Sequence, residues 1–367
     1  MKTKISLMLL SLGLASGAAY AGMPAEPMPV SNDINVTAPD QSGMWSFGAM
    51  AVLMQPTNKD FNYADELVGN FNNPTQSSND IKIKEHSVDQ NYHWWFGADI
   101  SYAFPGNGRD VTLAYEGLHG TDSEATSSDA MRSTFSGLDY TGAKGESDTN
   151  YDAGDLVFGQ KLDVGQRIRL HPFVGLRYAY INTHDTGYYT GGGEIGDRRD
   201  NPVPSTESSK LDNTFNGIGP RFGTDAQINL GQGFSIRGRL GLSALIGSRS
   251  IDNTVSLTTY NADGTVLATG APYVTLADDS ETRVVPEIDG RLGLNYTYAF
   301  DSSTALGFEL GWQATNYFNV VADQPDLNPV FGNQGNDNNN GNPGTHYTDN
   351  SNFGIQGPYA RIQLDIA

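Results

Sequence analysis

The chain has 367 residues, no cysteine, and 42 acidic against 22 basic residues, a formal net charge of −20. Without cysteine an exported protein has no disulfide staples, and the lack of basic runs interleaved with aromatics speaks against a nucleic-acid partner. Mean hydropathy is −0.42 and no long apolar run follows the first residues, which argues against spanning helices but not against spanning strands, since those are only half apolar.

Residues 1–21 read as a secretory signal peptide. Lys2 and Lys4 precede the short apolar run Ile5–Leu14, and Ala19-Tyr20-Ala21 is a small-x-small cleavage site. Residues 22–42, rich in proline and without periodicity, read as a flexible periplasmic segment. From residue 43 to residue 367 the dominant signal is alternation with period two, as strand side chains point to opposite faces in turn.

Trp45, Phe47, Ala49, Ala51 and Leu53 alternate in the first strand, and Trp94, Phe96, Ala98, Ile100, Tyr102 and Phe104 in the second, facing away from Trp95, Asp99 and Ser101. Val111, Leu113 and Tyr115 oppose Thr112 and Glu116 in the third, and Leu156 and Phe158 mark the fourth. Val174, Leu176, Tyr178 and Tyr180 face away from Arg177 in the fifth. The clearest unit is the hairpin Phe215–Gly247, strands six and seven, closed at Gly231-Gln232-Gly233. There Ile218, Phe222, Ile228, Ile236, Leu240 and Leu242 oppose Arg221, Asp225, Arg237, Arg239 and Ser243. Each arm exceeds the roughly 9–11 residues that a tilted strand needs to cross the hydrocarbon layer. Ile288, Leu292, Leu294 and Tyr296 oppose Glu287, Asp289 and Arg291 in the eighth strand. Leu306, Phe308, Leu310 and Trp312 oppose Glu309 and Gln313 in the ninth, and Ala360, Ile362, Leu364 and Ile366 oppose Arg361 in the tenth.

Short turns near 105–109, 163–167, 231–233 and 301–304 alternate with polar segments near 56–89, 121–150, 184–213, 249–282 and 322–351. Short periplasmic turns and long outer loops are the organisation of an outer-membrane barrel. The predicted fold is therefore an all-β, antiparallel transmembrane β-barrel of ten strands with both termini in the periplasm. Twelve is the rival, if Thr254–Tyr260 and Thr265–Ala268 form a further hairpin. Their arms are too short to cross comfortably, which places them as a β-extension above the rim.

The five polar segments hold 27 acidic and 9 basic residues, so acidity belongs to the mouth and not to the wall. The lumen-facing candidates are Asp99, Glu116, Arg177, Arg221, Asp225, Arg237, Arg239, Glu287, Asp289, Arg291, Glu309 and Arg361. As ion pairs they fill a narrow barrel, the role favoured here because small barrels are filled by side chains; standing free, they form a charged constriction. Glu287, Asp289 and Glu309 are expected to neutralise Arg237, Arg239 and Arg291. Arginine at Leu242 would meet lipid and be costly, whereas at Ser243 it would enter the lumen and be much milder.

Catalytic, cofactor and metal sites are not expected. His184-Asp185 near the outer end of the fifth strand is a rim His/Asp pair without a matching second acidic pair, so the chain reads as no enzyme. Asn336–Gly341 resembles the front of a calcium loop, but Tyr347 stands where the bidentate glutamate belongs. Gly191-Gly192-Gly193 lacks the lysine and helix of a phosphate loop.

The segments Phe158-Gly159-Gln160, Gly175-Leu176-Arg177-Tyr178, Phe215-Asn216-Gly217-Ile218-Gly219-Pro220-Arg221, Val285-Pro286-Glu287, Asn316-Tyr317-Phe318-Asn319 and Gln356-Gly357-Pro358-Tyr359 occur in this order. With them the chain resembles the Legionella major outer-membrane protein family from about Trp45 to its end. The resemblance implies a Gram-negative outer-membrane porin. Family members are associated with disulfide-linked complexes, which a cysteine-free chain does not form, and this chain ends in Ile366-Ala367 without the terminal aromatic common in such barrels. The expected function is a passive, narrow pore for small solutes or ions. The alternative is a non-conducting scaffold that displays its loops to host or surface ligands, and a rim hydrolase is the remote one. The expected surroundings are outer-membrane lipid and lipopolysaccharide, with any oligomer held non-covalently.

Overall fold

The computed structural model describes residues 36–39, 43–57, 61–68, 82–135, 139–191, 205–260, 265–322 and 350–367. The predicted signal peptide, most of the segment after it, and the stretch Asn336–Gly341 lie outside these. The described residues form strands β1 (Val36–Thr37), β2 (Met44–Pro56), β3 (Phe61–Val68), β4 (Lys82–Val88), β5 (His93–Ala103), β6 (Arg109–Ser133) and β7 (Asp139–Gln160). They continue as β8 (Leu162–Val164), β9 (Ile168–Thr190), β10 (Ser205–Gly231), β11 (Phe234–Tyr260), β12 (Val266–Ala299), β13 (Thr304–Ala322) and β14 (Asn350–Ile366).

Ten of these close a barrel. Each pairs antiparallel with its neighbour in the chain, from β2 through β5, β6, β7 and β9 to β14. The circle is sealed where β14 pairs with β2, from Ile355 opposite Pro56 to Ile366 opposite Trp45. Strands β1 and β8 make a small flap beside β9, and the hairpin β3–β4 leans on the outer end of β6. The turn between β10 and β11 requires left-handed backbone at three successive positions, Gly231, Gln232 and Gly233 with φ of 102°, 53° and 85°. Glycine meets that demand at two of them without steric cost.

The alternation is executed as read. On β12, Val284, Ile288, Leu292, Leu294, Tyr296 and Tyr298 are exposed on the outer face, while Val285, Glu287 and Asp289 are buried within. The outer band continues on neighbouring strands with Leu240, Ile246, Phe308, Leu310 and Trp312. Exposed apolar area on this scale is stable only against lipid. The protein is a transmembrane β-barrel.

The polar segments differ from expectation. Strands β6, β7, β9, β10, β11 and β12 run for 25, 22, 23, 27, 27 and 34 residues, well past the lipid band. Most of 121–150, 184–213 and 249–282, read as loop, is therefore barrel wall standing above the membrane. The physical reason is that the outer face turns polar once it leaves lipid, which erases the apolar alternation used to recognise strands. Thr258 and Thr259 pair with Thr269 and Ala268 at the upper ends of β11 and β12, so that hairpin belongs to two long strands and the barrel has ten. Among the described residues of the segment 56–89, Phe61–Val68 and Lys82–Val88 are strand, as β3 and β4.

The interior is packed in levels. Above the charged middle lies an apolar level that includes Val52, Met54, Trp95, Tyr151, Ile181, Phe215, Leu245, Tyr317 and Phe353. A second apolar cluster, with Tyr63, Val88, Met131, Phe135, Tyr140, Tyr189 and Leu211, fills the raised wall beyond it.

Candidate functional site in the barrel lumen

Of the twelve charged residues singled out from the sequence, eleven line two internal cavities, and Glu287 lies against Arg177 and Arg221. At mid-barrel, two buried guanidinium groups bind four carboxylates. Arg177 reaches Asp155 at 2.8 Å and Glu116 at 2.9 Å, and it also contacts Glu287. Arg221 reaches Asp289 at 2.7 Å, with Asp155 and Glu287 both at 3.3 Å, and donates to Ser243 Oγ at 3.1 Å. The planar five-donor fork of arginine suits it to such multidentate pairing. Gly241 permits the network to lie against the wall, since a Cβ there would collide with the Asp289 carboxylate and the Arg221 guanidinium.

Toward the short-turn, periplasmic end the pairs are smaller. Arg239 makes a bidentate pair with Asp225 at 2.6 and 3.1 Å, Asp225 also contacts His171 at 2.9 Å, and Arg361 pairs with Asp99 at 2.8 Å. Arg237 stands 3.6 Å from Glu309, whose other partner is the Tyr359 hydroxyl. Arg291 is different: its recorded contacts are Met50 Sδ at 3.4 Å and the Tyr359 ring at 5.5 Å. The expected neutralisation of Arg237, Arg239 and Arg291 by Glu287, Asp289 and Glu309 is thus corrected. Glu287 and Asp289 are engaged by Arg177 and Arg221, Asp225 serves Arg239, and Glu309 serves Arg237 loosely.

Two cavities lie in series along the lumen. One of about 250 Å³ occupies the periplasmic end, between Asp99, Lys161, His171, Asp225, Arg237 and Arg361. The other, about 70 Å³, sits at mid-barrel beside Glu116, Asp155 and Arg177. Arg239, Arg291, Asp99 and Arg361 border both. Outward from them the lumen meets the apolar level. Tyr151 on β7 and Tyr317 on β13 are five strands apart whichever way the circle is followed, yet their hydroxyls are 2.9 Å apart. Tyr151 stacks edge-on against Trp95, and Phe353 packs beside both tyrosines. Aromatic side chains from opposite walls meet at the axis.

Sequence reading missed this level and also Asp155 and His171. Alternation shows which face a residue occupies but not which inward side chains meet across a barrel. Asp155 was legible as the inward neighbour of Leu156, and Trp95 as that of Trp94.

His184 and Asp185 do not act together. As neighbours in β9 they take opposite faces: His184 contacts Asp212 and Thr186, whereas Asp185 accepts a hydrogen bond from Ser147 Oγ at 2.6 Å. Asp185 lies above the lipid band, and burial pushes its carboxyl up to about 6. At the β3–β4 hairpin, hydrogen bonds from His86 and Lys84 hold Glu66 down at about 2. Among the described residues no group of three or more His, Cys, Asp or Glu side chains is arranged to hold a metal.

A family model described as the Legionella pneumophila major outer membrane protein precursor matches residues 37–366, in line with the resemblance read from the strand motifs. No curated protein matches the chain. Among solved structures the chain is similar to the outer membrane protease OmpT from Escherichia coli, at 10% identity and a TM-score of 0.38, covering 88% of this chain and 96% of that one. It is also similar to the P. putida toluene transporter TodX, at 8% identity and a TM-score of 0.27, covering 90% of each. A Pseudomonas aeruginosa FadL homologue follows, at 8% identity and a TM-score of 0.26, covering 88% of this chain and 90% of that one. With a protease among these structures, the expectation that the chain is no enzyme is corrected and is not carried forward.

Proposed function

Because the chain belongs to the Legionella pneumophila major outer membrane protein family, we propose that it is a narrow pore for ions and small solutes, constricted at the Tyr151–Tyr317 level. The observation that carries this reading is the pair of polar cavities in series on the lumen axis, ending at that one aromatic level. A barrel filled for stability alone has no need of charged, hollow space along its axis. Water and ions enter such space readily, while an apolar constriction resists wetting and adds resistance to the path.

Planar-bilayer recordings on refolded protein test it. Small unitary openings are expected from the wild type, and larger ones from Tyr317→Ala, which removes half of the contact across the axis. A Phe substitution at the same position, which keeps the ring and loses the hydroxyl, should stay close to the wild type. Silence from both wild type and Tyr317→Ala, with barrel spectra intact, would sink the pore. The second reading, a surface scaffold, would then take its place. The observation favouring that one is the tall polar wall, packed inside by its own apolar cluster.

A further inference from the structure

We infer that the periplasmic cavity is a binding site for a small oxyanion, held by the guanidinium of Arg291 with Arg237 beside it. The argument begins in the ladder. Arg291 on β12 is flanked by Arg239 on β11 and Gln313 on β13 as its directly opposite residues. A like charge directly opposite is unfavourable in a sheet, so the pair persists only if each cation is compensated. Arg239 is compensated by its two bonds to Asp225. Arg291 is not. Its contacts are a thioether sulfur and an aromatic ring, and among the described residues no carboxylate oxygen lies within ion-pair distance of it.

The acids that might have served are engaged elsewhere. Asp99 is bonded by Arg361 through both oxygens, Glu309 takes the Tyr359 hydroxyl and Arg237, and Asp289 belongs to Arg221. Arg237 itself has a buried Nε without an acceptor. It pairs with Gly293, two residues from Arg291, which makes Arg237 and Arg291 diagonal neighbours on one face. Such positions stand roughly 7–8 Å apart, a spacing that an oxyanion between two guanidinium groups can bridge. The cavity of about 250 Å³ beside them has room for such an ion.

A planar fork with parallel donors selects ligands that offer two or more acceptor oxygens, so carboxylate, phosphate and sulfate fit and chloride fits less well. The half-buried setting of both arginines strengthens the attraction relative to a fully exposed arginine. This inference does not rest on conduction, since binding at equilibrium requires access from one end only.

The test is titration calorimetry of the refolded full chain in detergent with inorganic phosphate, at constant ionic strength set by chloride. Saturable heat is expected from the wild type, and an affinity loss of about tenfold or more from Arg291→Gln, as befits a lost charge-assisted bond. Arg132→Gln, whose partner is Asp139 at the far end of the barrel, should bind phosphate as the wild type does. If Arg291→Gln does not refold, Arg237→Gln carries the test, with a loss of several-fold expected. Absence of saturable heat from the wild type overturns the site. So does wild-type affinity in whichever of the two variants refolds.

Discussion

At the scale of single residues, the raised wall holds a carboxyl that titrates out of its usual range. A free aspartate titrates near 3.9, and burial raises Asp185 to about 6. Between those values the folded protein holds a proton that the unfolded chain has released. The contribution is therefore fully present below about pH 4 and lost as pH rises through about 6. Asp185→Asn, which keeps an oxygen to accept from Ser147 and cannot ionise, should flatten that fall. The difference between variant and wild type should reach the order of 2 kcal/mol at neutral pH. Melting curves in detergent across this range measure it, and identical slopes for the two proteins would remove Asp185 from the account. A second residue-scale lesson concerns Ser243. Expected to tolerate arginine because it faces inward, it is buried and accepts a bond from Arg221, so a new cation there would stand against an existing one. Facing the lumen is not the same as facing water.

At the scale of elements, the membrane-crossing parts of all ten strands were legible. Lipid on one side and packed polar groups on the other impose a strict alternation such as Leu292 against Arg291. The raised parts of β6, β7 and β9 to β12 were not. In Ser205–Asn213 both faces are mostly polar, and in Asp252–Tyr260 only Val255 and Leu257 stand against Thr254, Ser256 and Thr258, so alternation has little to contrast. The candidate site was half legible for the same reason. Faces could be assigned one strand at a time, but the meeting of Tyr151 with Tyr317, or the isolation of Arg291, depends on partners more than a hundred residues away or on another strand. The register of the crossing parts makes a definite forecast. Leu240, half exposed on the lipid face, should cost about 2–4 kcal/mol when replaced by arginine. Ser101→Asn, facing the periplasmic cavity, should cost under about 1 kcal/mol. Urea titrations of refolding in lipid vesicles compare them, and equal losses would mean that Leu240 does not face lipid.

At the scale of the whole molecule, charge is divided along the barrel axis. The polar segments read from the sequence carry 27 acids against 9 bases, and most of their described residues stand in wall above the lipid band. Spare positive charge sits at the opposite end, at Arg291. An acidic rim enriches cations, and the effect fades as the Debye length falls from about 30 Å at 0.01 M to about 3 Å at 1 M. The expected behaviour is preference for cations in dilute salt and loss of that preference in concentrated salt. Reversal potentials across a salt gradient decide it. Anion preference persisting at high salt would mean that the inner arginines, and not the rim, set selectivity.

The sealed ladder also governs how copies of this protein can meet. Pairing of β14 with β2 leaves the barrel wall without a free backbone edge along the seam, so no incoming strand finds a template there. Among the described residues, β4 is paired on one side alone, by β3. That rim carries Lys82, Lys84 and Glu85, charges that discourage strand addition. With no cysteine for a covalent link, neighbours in the membrane are left to touch through their side chains: apolar ones at lipid depth, polar ones on the wall above.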